Sequence, residues 1–411
     1  MTRPADQTAG AAQAGDRSGT TAAGSGRARR LLALAALLAL VPAIAAAAGP
    51  AAARRAQAAP GQDAAPGRET AAPASREPAA PAQTAAVLVI SDGVSDDAPL
   101  GGVDAAVRRF NAAGGRATLA VAAPAKAEEK LRAIARDNRA VIVVTGGAAD
   151  PVAKVARETP ETRFTLVGGQ AEGDNVRSIR FRDAETDWLA GWLAGKAVGD
   201  GDVGLVGLQG DPAARESLCA VAQGLAAATP GARLLPDLAA PEADGALAAR
   251  AGARLTARQI DRGAQVVLTA PGAVGAGAMD AVHDAGALGA PRDARFLTLF
   301  PRNVLATRTR NYEGVTFDAL RASGDAWRPG ATSVGLADGA VDIALNDGAV
   351  ADAPALREAL AAGRRAIASG AVSGVGFGPD GTCSVRRTPP QYPPPARAGG
   401  PLSQRPDGAG R

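Results

Sequence analysis

The sequence of 411 residues has few of the side chains that catalysis and metal binding usually require. It contains one His and two Cys, and aromatic residues make up only 3% of the chain. His283 is predicted to lie on a helix away from any strand end, and no nucleophile elbow is present, so a Ser-His-Asp arrangement has no support. The two Cys form no CxxC pair and have no metal-ligand spacing. We therefore expect no catalysis, no metal and no other cofactor.

The two Cys and one glycine-rich segment leave alternatives open. Cys219 and Cys383 can pair in a disulfide if the folded body is exported, although their geometry cannot be judged from sequence. We favour the other interpretation, in which Cys219 is buried and inert on a predicted helix. The glycine-rich segment GAVGAG (272–277) stands between a predicted strand and a predicted helix, as a dinucleotide-binding loop does, but it lacks the full glycine spacing.

The positive charge is concentrated at the two ends of the chain. Residues 1–84 carry nine Arg and five acids, and residues 386–411 carry five Arg and one acid. Because the whole chain has a net charge of +4, the body between these ends is mildly acidic. A nucleic-acid partner is therefore not expected, since such binders carry basic patches on their folded domains. Basic tails next to an apolar segment favour an anionic membrane surface instead.

The sequence divides into tails and a folded body. Residues 1–30 are predicted to be a disordered basic region, and the apolar run 31–48 has the form of an export signal or a membrane anchor. We favour cleavage, and because no Cys follows the run, a lipid-anchored N-terminus is excluded. Residues 49–84 form an Ala/Pro/Arg linker, and 386–411 a disordered Pro/Arg tail.

Short apolar strands alternate with helices through the body, which indicates parallel sheets covered by helices on both faces. Predicted strands lie at 87–91, 117–121, 140–147, 163–169, 176–181, 203–206, 232–238, 264–272, 294–300 and 312–317. Predicted helices lie near 103–110 and at 127–135, 152–157, 184–198, 213–228, 246–262, 276–285, 331–345 and 355–368.

One stretch, residues 175–207, separates two such α/β blocks. Its helix carries Trp188, Leu189, Trp192 and Leu193 on one predicted stripe, so we interpret the stretch as the hinge between two lobes. In open parallel sheets a ligand binds beyond the carboxyl ends of the strands, and several strands here end in Gly or polar residues. Facing sets of such loops would form a cleft that closes by a hinge motion.

The stretch NVRSIRFRDAETDWLAGWLAGKAVGDGDVGLVG resembles the basic membrane protein (PnrA-like) family of solute-binding proteins of ABC importers. The resemblance continues through VIVVTGG, PETRFTLVGG, RGAQVVLTAPGAVGAGAMDA and SVGLADGAVDIAL, and it covers roughly residues 86–375. It implies a type I periplasmic-binding-protein-like α/β fold of two doubly wound parallel-sheet lobes joined by hinge crossings. Lobe 1 would comprise 85–182 with part of 301–385, and lobe 2 would comprise 183–300. No catalysis is implied.

The resemblance also implies a set of ligand-binding residues in the cleft. Carried over by position, they are Asp92, Asp97, Leu100, Gly146, Gly147, Gly272, Phe300 and Arg302. The chain departs from the family where a stacking Phe and an Asn normally follow the first strand, because Ala98, Pro99 and Leu100 stand there. We expect Phe300 to supply a replacement ring and Arg302 to favour an anionic or carbonyl-bearing solute.

Two functions remain open at this point. The first is an extracytoplasmic solute-binding protein that presents a small polar solute, nucleoside-like or otherwise, to ABC permease subunits. The second is a membrane-tethered ligand sensor or interaction protein with a degenerate periplasmic-binding fold. The first is the favoured hypothesis, and a retained anchor, the altered strand ends and the Pro/Arg tail support the second.

Overall fold

The computed structural model describes residues 84–91, 100–145, 149–242, 244–378 and 380–384. The predicted segments 1–30, 31–48 and 386–411, and the linker 49–84 apart from Thr84, lie outside these residues. Among the described residues, no helix is both long enough and apolar enough to cross a membrane.

The strands alternate with helices along most of the chain. The strands are β1 (Thr84–Ile90), β2 (Arg116–Ala122), β3 (Ala140–Thr145), β4 (Arg163–Val167), β5 (Val176–Phe181), β6 (Asp202–Leu208), β7 (Arg233–Ala239), β8 (Ala264–Leu268), β9 (Leu288–Ala290), β10 (Ala306–Arg310), β11 (Gly330–Val334) and β12 (Val341–Leu345). The helices are α1 (Leu100–Ala112), α2 (Ala127–Asp137), α3 (Asp150–Glu158), α4 (Asp183–Val198), α5 (Pro212–Ala228), α6 (Gly245–Asp261), α7 (Gly272–Asp284), α8 (Phe296–Leu299), α9 (Tyr312–Arg321) and α10 (Ala353–Ala368).

Two parallel sheets define two lobes. The first has the strand order β11-β5-β4-β3-β1-β2 and the second the order β7-β6-β8-β9, while β10 and β12 form a separate antiparallel pair. Alternate residues of β1 enter two different cores, with Val87 and Val89 on one face of the sheet and Leu88 and Ile90 on the other. Burial on both faces explains why β1 is continuously apolar rather than alternating.

The hinge helix α4 is more deeply buried than its sequence pattern predicts. The predicted single stripe is wrong, because nearly every residue of α4 from Thr186 to Gly195 is buried. Helices α5 and α10 cover the sides that a stripe would leave to solvent, and Gly191 and Gly224 allow the backbones of α4 and α5 to touch. The two rings expected as packing anchors, Trp188 and Trp192, stack with their centroids 5.4 Å apart.

Three sequence-predicted elements have the wrong type. The expected strand 294–300 contains helix α8, because Asp293 accepts a hydrogen bond from the amide of Arg295 and begins a helical turn. The expected strand 312–317 is part of helix α9, whose N-cap is the side chain of Asn311. The expected helix 331–345 contains two strands, β11 and β12, because each pairs with a strand far away in the sequence.

The chain passes between the lobes three times. The first passage leads from β5 into α4, the second from β10 into α9, and the third from β11 into β12. Strands β10 and β12 and helix α10 share a core with α4 and β6, whereas α9 shares a core with β1 and α1. This arrangement confirms two α/β lobes joined by hinge crossings.

A disulfide ties the end of the described chain to the second lobe. Cys219 on α5 is bonded to Cys383, so the interpretation of Cys219 as an isolated inert thiol is wrong. The side chain of Gln223 on the same helix accepts a hydrogen bond from the amide of Gly376 and donates to its carbonyl. We refer to residues 370–384 as the C-terminal strap.

Candidate functional site

A cavity of about 690 Å³ lies between the two lobes. The first lobe lines it with the carboxyl ends of β4, β5 and β11, and the second lobe with the carboxyl ends of β6 and β8 and the start of α5. The hinge supplies the start of α4, and the C-terminal strap adds Ser373, Gly374 and Val375. The cavity therefore occupies the crevice beyond the strand ends in which α/β sheets bind their ligands.

The charges along the cavity wall are balanced. Its lining contains five Arg and five acidic residues: Arg180, Arg182, Arg292, Arg308, Arg310, Asp183, Glu185, Asp187, Asp211 and Glu216. Most of these side chains neutralise one another, so the charges that remain available to a solute are few.

The first two turns of α4 hold an ion network that is largely buried. Asp183 forms a bidentate pair with Arg310, at 2.9 and 2.6 Å, and Asp187 accepts from Arg292 at 2.6 and 2.7 Å. Burial by itself favours the neutral acid, but Arg310, Arg292 and Arg308 outweigh it and hold the pKa of Asp183 below its usual value. The carboxylate therefore stays ionised, and the network fixes the hinge end of the cavity.

Arg308 is the most deeply buried member of this network. Its guanidinium donates to Asp187 Oδ1 over 2.5 Å and to the carbonyl oxygens of Thr269 and Ala290 over 2.9 and 2.8 Å. These two carbonyls follow β8 and end β9, so Arg308 joins the carboxyl edge of the second sheet to α4. Burial and the nearby Arg292 lower the pKa of Arg308 to about 10.

Glu185 connects α4 with the third crossing. Its carboxylate accepts from the amide of Leu336 at 2.7 Å and from Arg182 Nε at 2.8 Å. Arg182 in turn donates to Asp338 at 3.1 Å. Glu185 therefore connects the first crossing to the third.

Two charged side chains of the wall stand apart from these pairs. Arg180, on β5 of the first lobe, donates to the hydroxyl of Ser333 at 3.3 Å. Glu216, on α5 of the second lobe, has no hydrogen-bond or ion-pair partner in the part of the chain that the structure describes. Desolvation by the surrounding protein is the largest cause that raises the pKa of Glu216, and the negative charges of Asp187 and Asp183 raise it further. Arg180 opposes this rise.

The sequence-predicted site residues are divided between described and undescribed segments. Asp92, Asp97, Gly146 and Gly147 lie outside the described residues, so their positions remain predictions. Leu100 is the first residue of α1 and does not line the cavity.

Gly272 begins α7 with a φ of 72°, and its neighbour Pro271, rather than Gly272, contacts the cavity. The remaining glycines of GAVGAG serve packing: a Cβ on Gly277 would lie 1.8 Å from the carbonyl oxygen of Ala249 on α6. The close approach of α6 and α7 accounts for these glycines, so a bound nucleotide is not needed to explain them.

Phe300 and Arg302 do not line the cavity. The ring of Phe300 stacks on His283, in the last turn of α7, with a centroid distance of 4.7 Å. That end of α7 is opposite to the carboxyl edge of the sheet, where α7 begins. We expected Phe300 to lie in the cleft because a strand was predicted to end at this residue, but the residues before it form α8. His283 itself lies 3.0 Å from the side-chain oxygen of Asn303.

Sequence reasoning missed the charged side chains of the wall. Asp183 and Asp187 stand four residues apart on a helix whose other buried residues are almost all small or apolar, and that contrast was the available signal. Arg180, Glu216 and Arg308 carried no comparable signal, because their partners come from distant parts of the chain.

The comparisons with known proteins identify the class. The profile of the ABC transporter substrate-binding protein PnrA-like family matches residues 84–355, and the chain belongs to this family. Its members are solute-binding proteins rather than enzymes. A search of curated proteins finds no match.

Solved structures share the fold at low sequence identity. A solute-binding protein of an ABC transporter system from Conexibacter woesei DSM 14684 is 20% identical, with a TM-score of 0.58, over 71% of this chain and 98% of its own. A transcriptional activator of the comK gene from Bacillus halodurans is 14% identical, with a TM-score of 0.56, over 70% of this chain and 99% of its own. AraP, an arabinose-binding protein from Geobacillus stearothermophilus, is 14% identical, with a TM-score of 0.51, over 66% and 98%. These likenesses confirm the type I periplasmic-binding-protein fold.

Proposed function

We propose that this chain is the extracytoplasmic solute-binding subunit of an ABC importer and that it takes up a small polar solute between its lobes. The observation that carries the proposal is the cavity of about 690 Å³, to which both lobes and the hinge contribute. This volume falls within the range of small-molecule sites. Three crossings permit the lobes to close over a bound solute, and the closed form is the one a permease would receive.

Two features support a location outside the cytoplasm. A disulfide joins Cys219 to Cys383, and structural disulfides persist in oxidising compartments. The apolar run 31–48 after Arg27, Arg29 and Arg30 has the form of an export signal, and the basic ends would be attracted to anionic lipid. N-terminal sequencing of the exported protein tests the signal: a mature chain that begins after residue 44 supports cleavage, and an intact N-terminus supports a retained anchor.

Thermal-shift screening of the full chain tests solute binding. The panel contains nucleosides, sugars, amino acids and inorganic anions. Each compound is also tested on lysozyme, under conditions that give it a similar melting temperature, as a control for non-specific effects. A bound solute stabilises the folded chain by mass action and raises the melting temperature. If no compound in the panel raises it, the transport function loses its main support.

The positions of the expected ligand contacts favour an alternative function, that of a sensor or interaction protein. Leu100, Gly272, Phe300 and Arg302 lie outside the cavity, so the family's usual solute contacts are not reproduced at these positions. A membrane-tethered sensor or interaction protein that retained the fold would show this pattern. A permease and an ATPase encoded next to the gene would favour the importer, and a neighbouring histidine kinase would favour the sensor.

A further inference from the structure

Among the residues that the structure describes, one cation and one anion of the cavity wall are left with neither an ion-pair partner nor a capping role. Arg182, Arg292, Arg308 and Arg310 are each paired with a carboxylate of α4. The side chain of Asp211 accepts from the amide of Ala213 and thereby caps α5. Arg180 and Glu216 remain, and their only described side-chain hydrogen bond is the one from Arg180 to a neutral hydroxyl.

These two side chains belong to opposite lobes. Arg180 stands near the carboxyl end of β5, in the first lobe, and Glu216 stands in the second turn of α5, in the second lobe. Both line the same cavity, and both are exposed to it. A solute that contacts both of them therefore bridges the lobes and favours the closed form.

The wall offers little for an aromatic or quaternary ligand. Phe181 is the one aromatic residue of the lining, and its ring already contacts Arg310, 5.3 Å away, and Tyr312, 5.1 Å away. In the sequence, the segments 92–99 and 146–148 contain no aromatic residue. A stacked base or an aromatic cage around a quaternary ammonium would need such rings.

We propose that the cleft binds a small zwitterion of the amino-acid class, with its ammonium on Glu216 and its carboxylate on Arg180. The inference rests on the proposed solute-binding function and names the class of solute. An Arg guanidinium matches a carboxylate in a bidentate geometry, and a carboxylate accepts hydrogen bonds from the N–H groups of a primary or secondary ammonium. A solute with both groups uses both unpaired charges, whereas a neutral nucleoside or sugar would leave both of them unpaired inside the closed cleft.

Calorimetric titration of the full chain with the twenty protein amino acids tests the class. For the amino acid that binds most tightly, its carboxamide and its N-acetyl derivative each remove one charge, and each should bind about tenfold more weakly or worse. Nucleosides and neutral sugars are titrated in parallel. If these neutral compounds bind and no amino acid does, the zwitterion proposal is wrong while solute binding stands. If nothing binds, the proposal and the solute-binding function both fail.

Two variants test the assignment of the charges. Glu216→Gln should weaken the amino acid by about tenfold and should abolish its advantage over the N-acetyl derivative, because only the ammonium contact is removed. Arg180→Gln should instead abolish its advantage over the carboxamide. Glu313→Gln and Arg250→Gln are matched controls, since both residues are exposed and neither lines the cavity. If an amino acid binds and neither cavity variant changes its affinity, the placement of the two contacts is wrong.

Discussion

The guanidinium of Arg308 donates to the carboxylate of Asp187 over 2.5 Å, and the two side chains are only 3% and 2% exposed. Arg308 lies just before the second crossing and Asp187 in the helix after the first, so the pair connects two of the three crossings. Arg292 contributes a second guanidinium to the same carboxylate at 2.6 Å. The hinge is thus held by buried charges. Removing one partner of a buried ion pair lowers the free energy of unfolding more than removing one partner of an exposed pair does.

Replacement of the buried carboxylate should strongly destabilise the fold. In Asp187→Asn the volume is kept, but Arg308 and Arg292 stay buried without their counter-charge, and we expect a loss of about 3–5 kcal/mol in the free energy of unfolding. Urea unfolding measures it. Glu161→Gln is the control, because the Arg139–Glu161 pair is about 80% exposed and should contribute less than about 1 kcal/mol. Equal losses in the two variants would contradict a special role for the hinge network.

The glycines of the GAVGAG segment provide a second test. Gly277→Ala would place a Cβ 1.8 Å from the carbonyl oxygen of Ala249, so α6 and α7 must separate, and we expect a loss of about 1–3 kcal/mol. Gly101→Ala is the matched control, since nothing lies within 4 Å of its Cβ and α1 should gain up to about 1 kcal/mol. Chemical denaturation without any nucleotide measures both. A neutral Gly277→Ala would show that packing does not require this glycine.

The sequence predicted the secondary-structure elements that depend on the local pattern of residues. The continuous apolar run of β1 follows from residue pattern alone, because burial on both sheet faces demands such a run. The predicted strand at 176–181 is also present, although it carries two Arg and is only partly buried. Residues 312–317 contain Tyr, Val, Thr and Phe, which favour strands, yet they form a helix. Asn311 caps this helix, and its buried residues recur at helical spacing, so tertiary burial prevailed over local propensity.

The candidate site was much less accessible to sequence reasoning. Asp187 and Arg308 are 121 residues apart, and no spacing rule relates them. Phe300 was assigned to the cleft because it was expected to end a strand, and the helical turn after Asp293 carries it to the opposite end of α7. The pairing of Cys219 with Cys383 likewise depends on where the C-terminal strap lies, which only the folded chain determines.

Removal of the disulfide should loosen the C-terminal strap. In a Cys219→Ser, Cys383→Ser variant the strap keeps its hydrogen bonds to Gln223 but loses its covalent tie, and we expect a loss of about 2–4 kcal/mol in stability. Hydrogen exchange at the amide of Gly376, which donates to Gln223 over 2.8 Å, should accelerate. The control is the wild-type chain under reducing conditions, which should behave like the variant. Unchanged exchange and stability would mean that the hydrogen bonds alone hold the strap.

The raised pKa of Glu216 gives a pH dependence whose sign can be derived. Partial desolvation, Asp187 and Asp183 raise the pKa of Glu216 in the folded state, while Arg180 and Arg292 oppose the rise. Between the ordinary pKa and the raised one, the folded chain binds more protons than the unfolded chain, so the contribution of Glu216 to stability falls as the pH rises through this window. The ionised carboxylate is therefore mildly destabilising at neutral pH.

Glu216→Gln should accordingly be slightly more stable than the wild type at pH 7.5. The gain should stay below about 1 kcal/mol, because the side chain is exposed and solvent screens its interactions. Below the ordinary pKa of Glu both chains are neutral at this position, so the difference should vanish by about pH 3.5. Paired melting curves across this range measure it, with Glu313→Gln as the exposed control. A variant that is less stable than wild type at pH 7.5 would mean that Glu216 has a stabilising partner, and it would also remove the basis for an unpaired anion in the cleft.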